Sequence, residues 1–274
     1  MHLSGLYLYP MKSCAPLPVE SARIEPRGLQ HDRRWMVVDG DGRCLTGREL
    51  PRLTLVRAIP DGDGLSLQAP GMPARHVPAP ATDEVVPVVV WKSDVRARAC
   101  DAAADAWLSA FLGRPVRLVH MDAGVHRPIV HRSIVHRSNE PSQAQAGDEV
   151  SFADAFPLLL ITRAALDGLN ARLPRPVPML RFRPNLVVDD APAHAEDGWS
   201  RIRIGGHDFD IGPPCVRCVF TTVDPTRGER DPDGEPLRTL TTYRRGEAGV
   251  TFGRNLVPRS TGTLRVGDAV EVVA

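Results

Sequence analysis

At 274 residues, with 23 Gly and 26 Pro, the chain has room for one large domain or two modest ones, and its frequent turn residues argue against a fold of long helices. Lys and Arg number 34 against 33 Asp and Glu, a formal charge of +1, which gives no global electrostatic reason to expect nucleic acid or an anionic membrane as partner. Five cysteines, Cys14, Cys44, Cys100, Cys215 and Cys218, are odd in number and scattered, unlike a secreted disulfide framework.

No apolar run approaches the roughly 18 residues of a membrane span, and the N-terminus lacks the apolar core of a signal peptide. The expectation is a cytoplasmic monomer.

The first hundred residues read as strands and turns. Strand candidates are Leu3 to Tyr9, Val19 to Glu25, Trp35 to Val38, Leu53 to Ile59 and Leu65 to Gln68. Asp39-Gly40-Asp41-Gly42 and Asp61-Gly62-Asp63-Gly64 are turn sequences, each predicted to close a short strand pair. Neither has the twelve-residue loop and terminal Glu of an EF-hand calcium site. Val85 to Val90 is a further strand. Asp101 is a predicted N-cap for a helix carrying Ala102, Ala106, Trp107, Ala110 and Phe111, stopped at Gly113-Arg114-Pro115 before a strand at Val116 to Val119.

Val125-His126-Arg127, Val130-His131-Arg132 and Val135-His136-Arg137 repeat at a period of five. That period belongs to neither helix nor strand, so the rings would not share one face as metal ligands do. A basic lid over an anionic ligand and a plain surface loop are the competing readings.

Further on, Phe156 to Ile161 reads as a buried strand, and Thr162 as the N-cap of a helix with Ala164, Ala165, Leu166 and Leu169 on its apolar side. Strands are predicted at Phe182 to Val188, across a Gly205-Gly206 hairpin, at Cys218 to Val223, at Gly249 to Phe252, at Leu256 to Val257 and within Leu264 to Val273. The fold class is mainly β with inserted helices. It divides into residues 1–100 as an N-terminal β-barrel-like domain and 101–274 as a C-terminal β domain, with the boundary near residues 95–115.

Three features carry chemistry. Cys215 and Cys218 form a CxxC without a second pair to complete a zinc or iron–sulfur site. The β-branched run after it does not suit the helix of a thioredoxin-like motif. One functional thiolate, with Arg217 nearby to stabilise the anion, stands against two small buried hydrophobes. Arg181 and Arg183 alternate around Phe182, so an extended segment would point both guanidiniums one way, and planar guanidinium suits phosphate. Lys12-Ser13 and Arg33-Arg34 are further candidates for an anion site or for solvated charge. Neither glycine-rich nucleotide loop is present, nor is a zincin HExxH or a nucleophile elbow.

Several ordered motifs resemble the MOSC proteins. Tyr9-Pro10-Met11-Lys12-Ser13-Cys14, Gly28-Leu29, Asp32-Arg33-Arg34-Trp35-Met36-Val37-Val38 and Thr46 with Arg48-Glu49-Leu50-Pro51-Arg52-Leu53 resemble the MOSC N-terminal β-barrel domain. Arg181-Phe182-Arg183-Pro184-Asn185, Glu196-Asp197-Gly198-Trp199, Cys215-Val216-Arg217-Cys218, Thr221-Thr222-Val223-Asp224-Pro225 and Phe252-Gly253-Arg254-Asn255 resemble the MOSC domain. The resemblance covers nearly the whole chain and extends to the mitochondrial amidoxime-reducing component and its bacterial counterparts.

The resemblance implies a molybdenum cofactor (molybdopterin with molybdenum) and an oxidoreductase that reduces N-hydroxylated small molecules. It makes Cys218 the metal ligand and assigns Lys12, Ser13, Arg33 and Arg183 to the pterin phosphate. Asn185 would bond the pterin ring or cap its own turn. Asp224 would orient the cysteine loop or act directly as an acid.

Some bacterial relatives carry a C-terminal ferredoxin domain. This sequence runs to Ala274 without a Cx4Cx2C motif, so the expected electron source is a separate protein such as a ferredoxin or flavoprotein reductase. The alternative is a cofactor-binding, carrier or sulfur-handling protein without N-reductive turnover.

Overall fold

The computed structural model describes residues 1–81, 85–122, 124–129 and 144–274. Strands dominate. In chain order come β1 (His2–Leu8), β2 (Leu17–Pro18), β3 (Ser21–Glu25), β4 (Gly28–Leu29), β5 (Trp35–Val38), β6 (Arg57–Asp61), β7 (Gly64–Gln68), β8 (Arg75–Val77), β9 (Val85–Val90) and β10 (Ser93–Ala99). Helix α1 (Ala102–Leu112) and β11 (Arg117–His120) follow.

Local chemistry explains much of this. Asp61-Gly62-Asp63-Gly64 closes the β6–β7 hairpin, with Asp61 opposite Gly64 and Gly62 at φ 58°. The other Asp-Gly-Asp-Gly makes a tight turn in which Asp39 Oδ1 accepts from the amides of Asp41 and Arg43. Beyond that turn only a single bridge, Val38 to Cys44, continues the pairing, and β5 takes β11 as its antiparallel partner. Asp101 Oδ1 caps α1 by accepting from Ala104 N at 2.6 Å, and Gly113 ends the helix in the left-handed region.

The second half contains β12 (Leu158–Thr162), α2 (Arg163–Asn170), β13 (Leu186–Asp189), β14 (Arg201–Ile204), β15 (His207–Val216), β16 (Val223–Asp224) and β17 (Glu229–Arg230). It closes with α3 (Leu237–Tyr243), β18 (Arg245–Gly246), β19 (Gly249–Pro258), β20 (Gly262–Arg265) and β21 (Val270–Val272). Its large sheet runs β2-β1-β13-β12-β19-β15-β14-β21, so the N-terminal strand lies inside the sheet of the C-terminal half. β1 pairs antiparallel with β13, and β3 pairs with β20.

Among the described residues, two large apolar clusters show how the halves pack. Leu3, Leu6, Ile24 and Leu29 pack with Leu160, Leu186, Phe209 and Leu256. Tyr9, Met11 and Trp35 pack with Leu65, Trp107 and Phe111 of α1. Among the described residues no helix is long and apolar enough to cross a membrane.

Several local expectations differ from the structure. Cys218 to Val223 is not a strand: Val219–Thr222 is a 3₁₀ turn. Thr221 Oγ1 donates to Cys218 O and Thr222 Oγ1 to Val219 O, so hydroxyls compete with the ladder for the backbone carbonyls. Thr162 precedes α2 but does not cap it with its side chain; its hydroxyl donates instead to buried Glu196 at 2.8 Å. The segment before β13 is not extended either, because Met179–Arg181 forms a 3₁₀ turn and Arg183 has φ 57°. Gly249 to Phe252 and Leu256 to Val257 belong to one continuous strand, β19.

Candidate active site

A cavity of about 570 Å³ opens where the N-terminal loops meet the C-terminal sheet. Lys12, Ser13, Arg33, Arg183, Asn185 and Cys218 all line it. The sheet explains the convergence: β1 lies beside β13, so the loop after β1 delivers Lys12 and Ser13 next to the loop that carries Arg183. Ser13, Arg33 and Arg183 have φ of 67°, 50° and 57°, a conformation that side chains other than glycine adopt at a cost. Ser13 Oγ accepts from Gly47 N at 3.0 Å. Gly47 lies so close to Phe220 that an added Cβ would collide with the ring.

The floor is built on Tyr9. The Arg33 and Arg183 guanidiniums lie 4.3 and 4.1 Å from its ring centroid. Arg33 Nη1 donates to Asp32 at 2.5 Å and to Asn185 Oδ1 at 2.9 Å. Asn185 donates onward to Tyr7 O at 3.1 Å and accepts from Leu159 N, so it braces the two halves of the chain.

Arg183 Nη1 donates to Cys14 O at 2.6 Å, while its Nη2 is buried with no hydrogen-bond partner. Burial pulls the Arg183 pKa below its ordinary value, against the opposing influence of Tyr9 and Cys14. Lys12 Nζ donates to Phe152 O at 2.7 Å and pairs with Asp154. Lys12 and Arg183 thus stand on the same cavity with different duties: one already has a carboxylate, the other has a buried N–H directed at nothing in the protein.

Cys215 and Cys218 sit in unlike surroundings. Cys215 Sγ accepts from Arg217 Nη1 at 2.9 Å; burial pushes this thiol's pKa up, with Arg217 working against the rise. Cys218 Sγ accepts from Arg48 Nε at 3.2 Å. The cation on Cys218 is therefore Arg48 from the N-terminal half, whereas its sequence neighbour Arg217 serves Cys215 and Phe182 O.

Asp224 is not among the cavity-lining residues. Its Oδ1 accepts from Thr226 N and Oγ1 at 2.8 and 2.7 Å, and its Oδ2 accepts from Arg181 Nη2 at 3.2 Å. Burial opposes its ionisation, but the Thr226 bonds and Arg181 hold its pKa below the usual carboxylate value. Arg181 Nη1 also donates to Thr222 O at 2.5 Å, so this pair steadies the turn after Cys218. Arg181 and Arg183 accordingly go to different partners.

Sequence reasoning missed three wall residues. Asp154 pairs with Lys12 and Arg48 and accepts from Trp91 Nε1 at 3.2 Å. Enclosure by the cavity walls opposes its ionisation, yet Lys12 and Arg48 hold its pKa far below the usual value. Arg48 lay within a recognised motif, but Asp154 and Trp91 carried no local signal. Arg127 belongs to the segment that reads in the sequence as a basic lid or a plain surface loop. It is 6% exposed and donates to the carbonyls of Ser151, Ala153 and Asp154 at 2.7, 2.6 and 3.2 Å. His126 is exposed and pairs with Glu149. The repeat from Val130 to Arg137 lies outside the described residues.

Among the described residues, eight basic side chains line the cavity (Lys12, Arg33, Arg48, Lys92, Arg127, Arg181, Arg183, Arg217) against one acid, Asp154. Among the described residues, no group of three or more His, Cys, Asp or Glu is placed to hold a metal ion. A metal on Cys218 would therefore take its other ligands from the group that carries it. The cation excess and the orphaned Arg183 N–H fit an anionic group of that kind.

Residues 1–115 match the MOSC N-terminal beta barrel domain and residues 137–271 match the MOSC domain. The chain belongs to the MOSC family. It is 37% identical to mitochondrial amidoxime-reducing component 1 of Danio rerio, over 98% of this chain and 83% of that protein. It is 33% identical to component 1 of Xenopus laevis and of Homo sapiens, again over 98% of this chain and over 81% and 82% of those proteins. The MOSC relationship spans both halves, in keeping with a cavity to which both contribute.

Proposed function

We propose that this MOSC protein is a molybdenum cofactor-dependent oxidoreductase that reduces N-hydroxylated small molecules with electrons from a separate protein donor. The observation that carries the reading is one cavity that holds the Cys218 thiol with Arg48 on its sulfur, a buried, unpartnered Arg183 N–H and an excess of cations. The names of the relatives supply the reaction class.

Arg33 and Arg183 would hold the cofactor's phosphate, with Ser13 and Lys12 on the same wall, and Cys218 would ligate the metal. When bound, the cofactor supplies a two-electron centre suited to removing oxygen from nitrogen. The residues do the rest. Arg48 donates to Cys218 Sγ and fixes its position on the cavity wall. Asp154 holds Arg48 and Lys12 in place. Asn185 fixes Arg33. Overall the reaction consumes two electrons and two protons: the N–O bond breaks, nitrogen gains one proton, and the hydroxyl oxygen takes the other and leaves as water.

The test is to prepare the full chain with cofactor supplied, measure molybdenum and pterin, and assay benzamidoxime with an artificial reductant. Cofactor with turnover supports the reading. Cofactor without turnover turns it to a carrier or sulfur-handling role, and no retained cofactor from a competent supply removes it.

A further inference from the structure

β9 and β10 are joined by the two residues Trp91-Lys92, since Val90 pairs with Ser93. Trp91 has φ 58°, in the left-handed region where tight hairpins favour glycine or asparagine and a bulky residue is strained. It is also 42% exposed. Neither the strain nor the exposure serves the hairpin, which a glycine would close at less cost.

What the conformation achieves is placement. The indole lies on the cavity wall, donates through Nε1 to Asp154 Oδ1 at 3.2 Å, and has the Arg48 guanidinium 4.2 Å from its ring centroid. The same Arg48 donates to Cys218 Sγ at 3.2 Å, so one side chain separates the indole from the thiol. Beside it, Asp154 is the cavity's single acid among the described residues. Its side chain is 57% accessible, because it faces cavity space rather than packed protein.

We infer that Trp91 is a specificity-determining residue of this cavity, an aromatic wall that selects planar, aryl-substituted N-hydroxyamidines over small N-hydroxylated compounds. The inference rests on the reductase reading above. The aryl ring lies against the indole surface that Arg48 leaves exposed, and the substrate's amino group donates to the Asp154 carboxylate. A small substrate such as hydroxylamine reaches the thiol side of the cavity without using either contact.

The experiment compares the full-length, cofactor-loaded protein with its Trp91→Gly and Trp91→Phe variants, on benzamidoxime and on hydroxylamine with one artificial reductant. In Trp91→Gly the ratio of kcat/KM for benzamidoxime to that for hydroxylamine falls about three- to tenfold, the range an aromatic pair provides, and the loss appears in KM for benzamidoxime. Trp91→Phe restores most of the ratio. Trp91→Gly unfolds at no lower temperature than the unsubstituted protein, because the positive φ is relieved. An unchanged ratio overturns the inference, as does an equal loss on both substrates, which marks a structural role. If the unsubstituted protein reduces neither compound, the reductase reading itself fails, and the inference with it.

Discussion

The two cysteines differ by what touches them. Both line the cavity, but Cys215 also packs against an apolar cluster and accepts from Arg217, whereas Cys218 has Arg48 on its sulfur. Cys218→Ala is therefore expected to lose bound molybdenum and turnover, and Cys215→Ala to keep most of both. Metal analysis with X-ray absorption decides it: a full metal complement in Cys218→Ala, with a protein sulfur still in the coordination shell, would rule out the assignment. The same reasoning separates Lys12 from Arg183. Both were legible as cations in recognised motifs, but their partners were not. Lys12 reaches Asp154 across 142 residues, and no spacing rule in the sequence links them.

At the scale of elements, the strap from Val150 to Asp154 is held by the Arg127 side chain through three carbonyls. Loss of one buried hydrogen-bond partner costs about 1–3 kcal/mol. Arg127→Gln is expected to lower the unfolding temperature and to speed proteolysis at the strap, read by mass spectrometry of the fragments. Unchanged melting and cleavage would show the three bonds to be dispensable.

The strand β11 makes a second prediction. His120 packs at a tilt against Trp35 with ring centroids 4.4 Å apart, and burial pushes its pKa from 6.5 down to about 4, Arg34 and Arg98 adding to the shift and Asp122 opposing it. The unfolded chain takes up a proton near pH 6.5, and the folded one only near pH 4. Stability present above pH 6.5 is thus lost progressively as pH falls toward 4, by up to about 3 kcal/mol. Urea midpoints at pH 7 and 4.5 should converge in His120→Gln relative to the unsubstituted protein; an identical pH dependence in both would refute the assignment to His120.

At the scale of the molecule, strands β1, β3 and β4 belong structurally to the second half. β1 contributes Leu3 and Leu6 to the core of the large sheet, and β3 and β4 contribute Ile24 and Leu29. Removing residues 1–29 would expose the edge of β13 and strip four fully buried side chains from that core. The truncated chain is expected to lose its cooperative thermal transition, measured by circular dichroism. A truncated chain that still melts cooperatively near the full-length temperature would contradict this. The interleaving also makes the cavity a joint product, with Lys12 and Arg48 from one half and Arg183 and Cys218 from the other.

The sequence by itself determined what local chemistry controls. The Asp101 cap, the Gly113 stop, the Asp61–Gly64 hairpin and the mainly β character follow from residues within a few positions of one another. Its motifs also singled out the residues that share the cavity, Lys12, Ser13, Arg33, Arg183, Asn185 and Cys218. The tertiary structure alone decided their partners. Arg48 meets Cys218 across 170 residues, Arg33 meets Asn185 across 152, and Trp91 meets Asp154 across 63. Turns and caps are settled by bonds between neighbours in the chain, whereas these contacts exist only because β1 inserts beside β13 and carries one half's loops onto the other's sheet. Periodicity and spacing describe a single segment, and a strand's partner in a mixed sheet is chosen by the burial of apolar faces drawn from the whole chain.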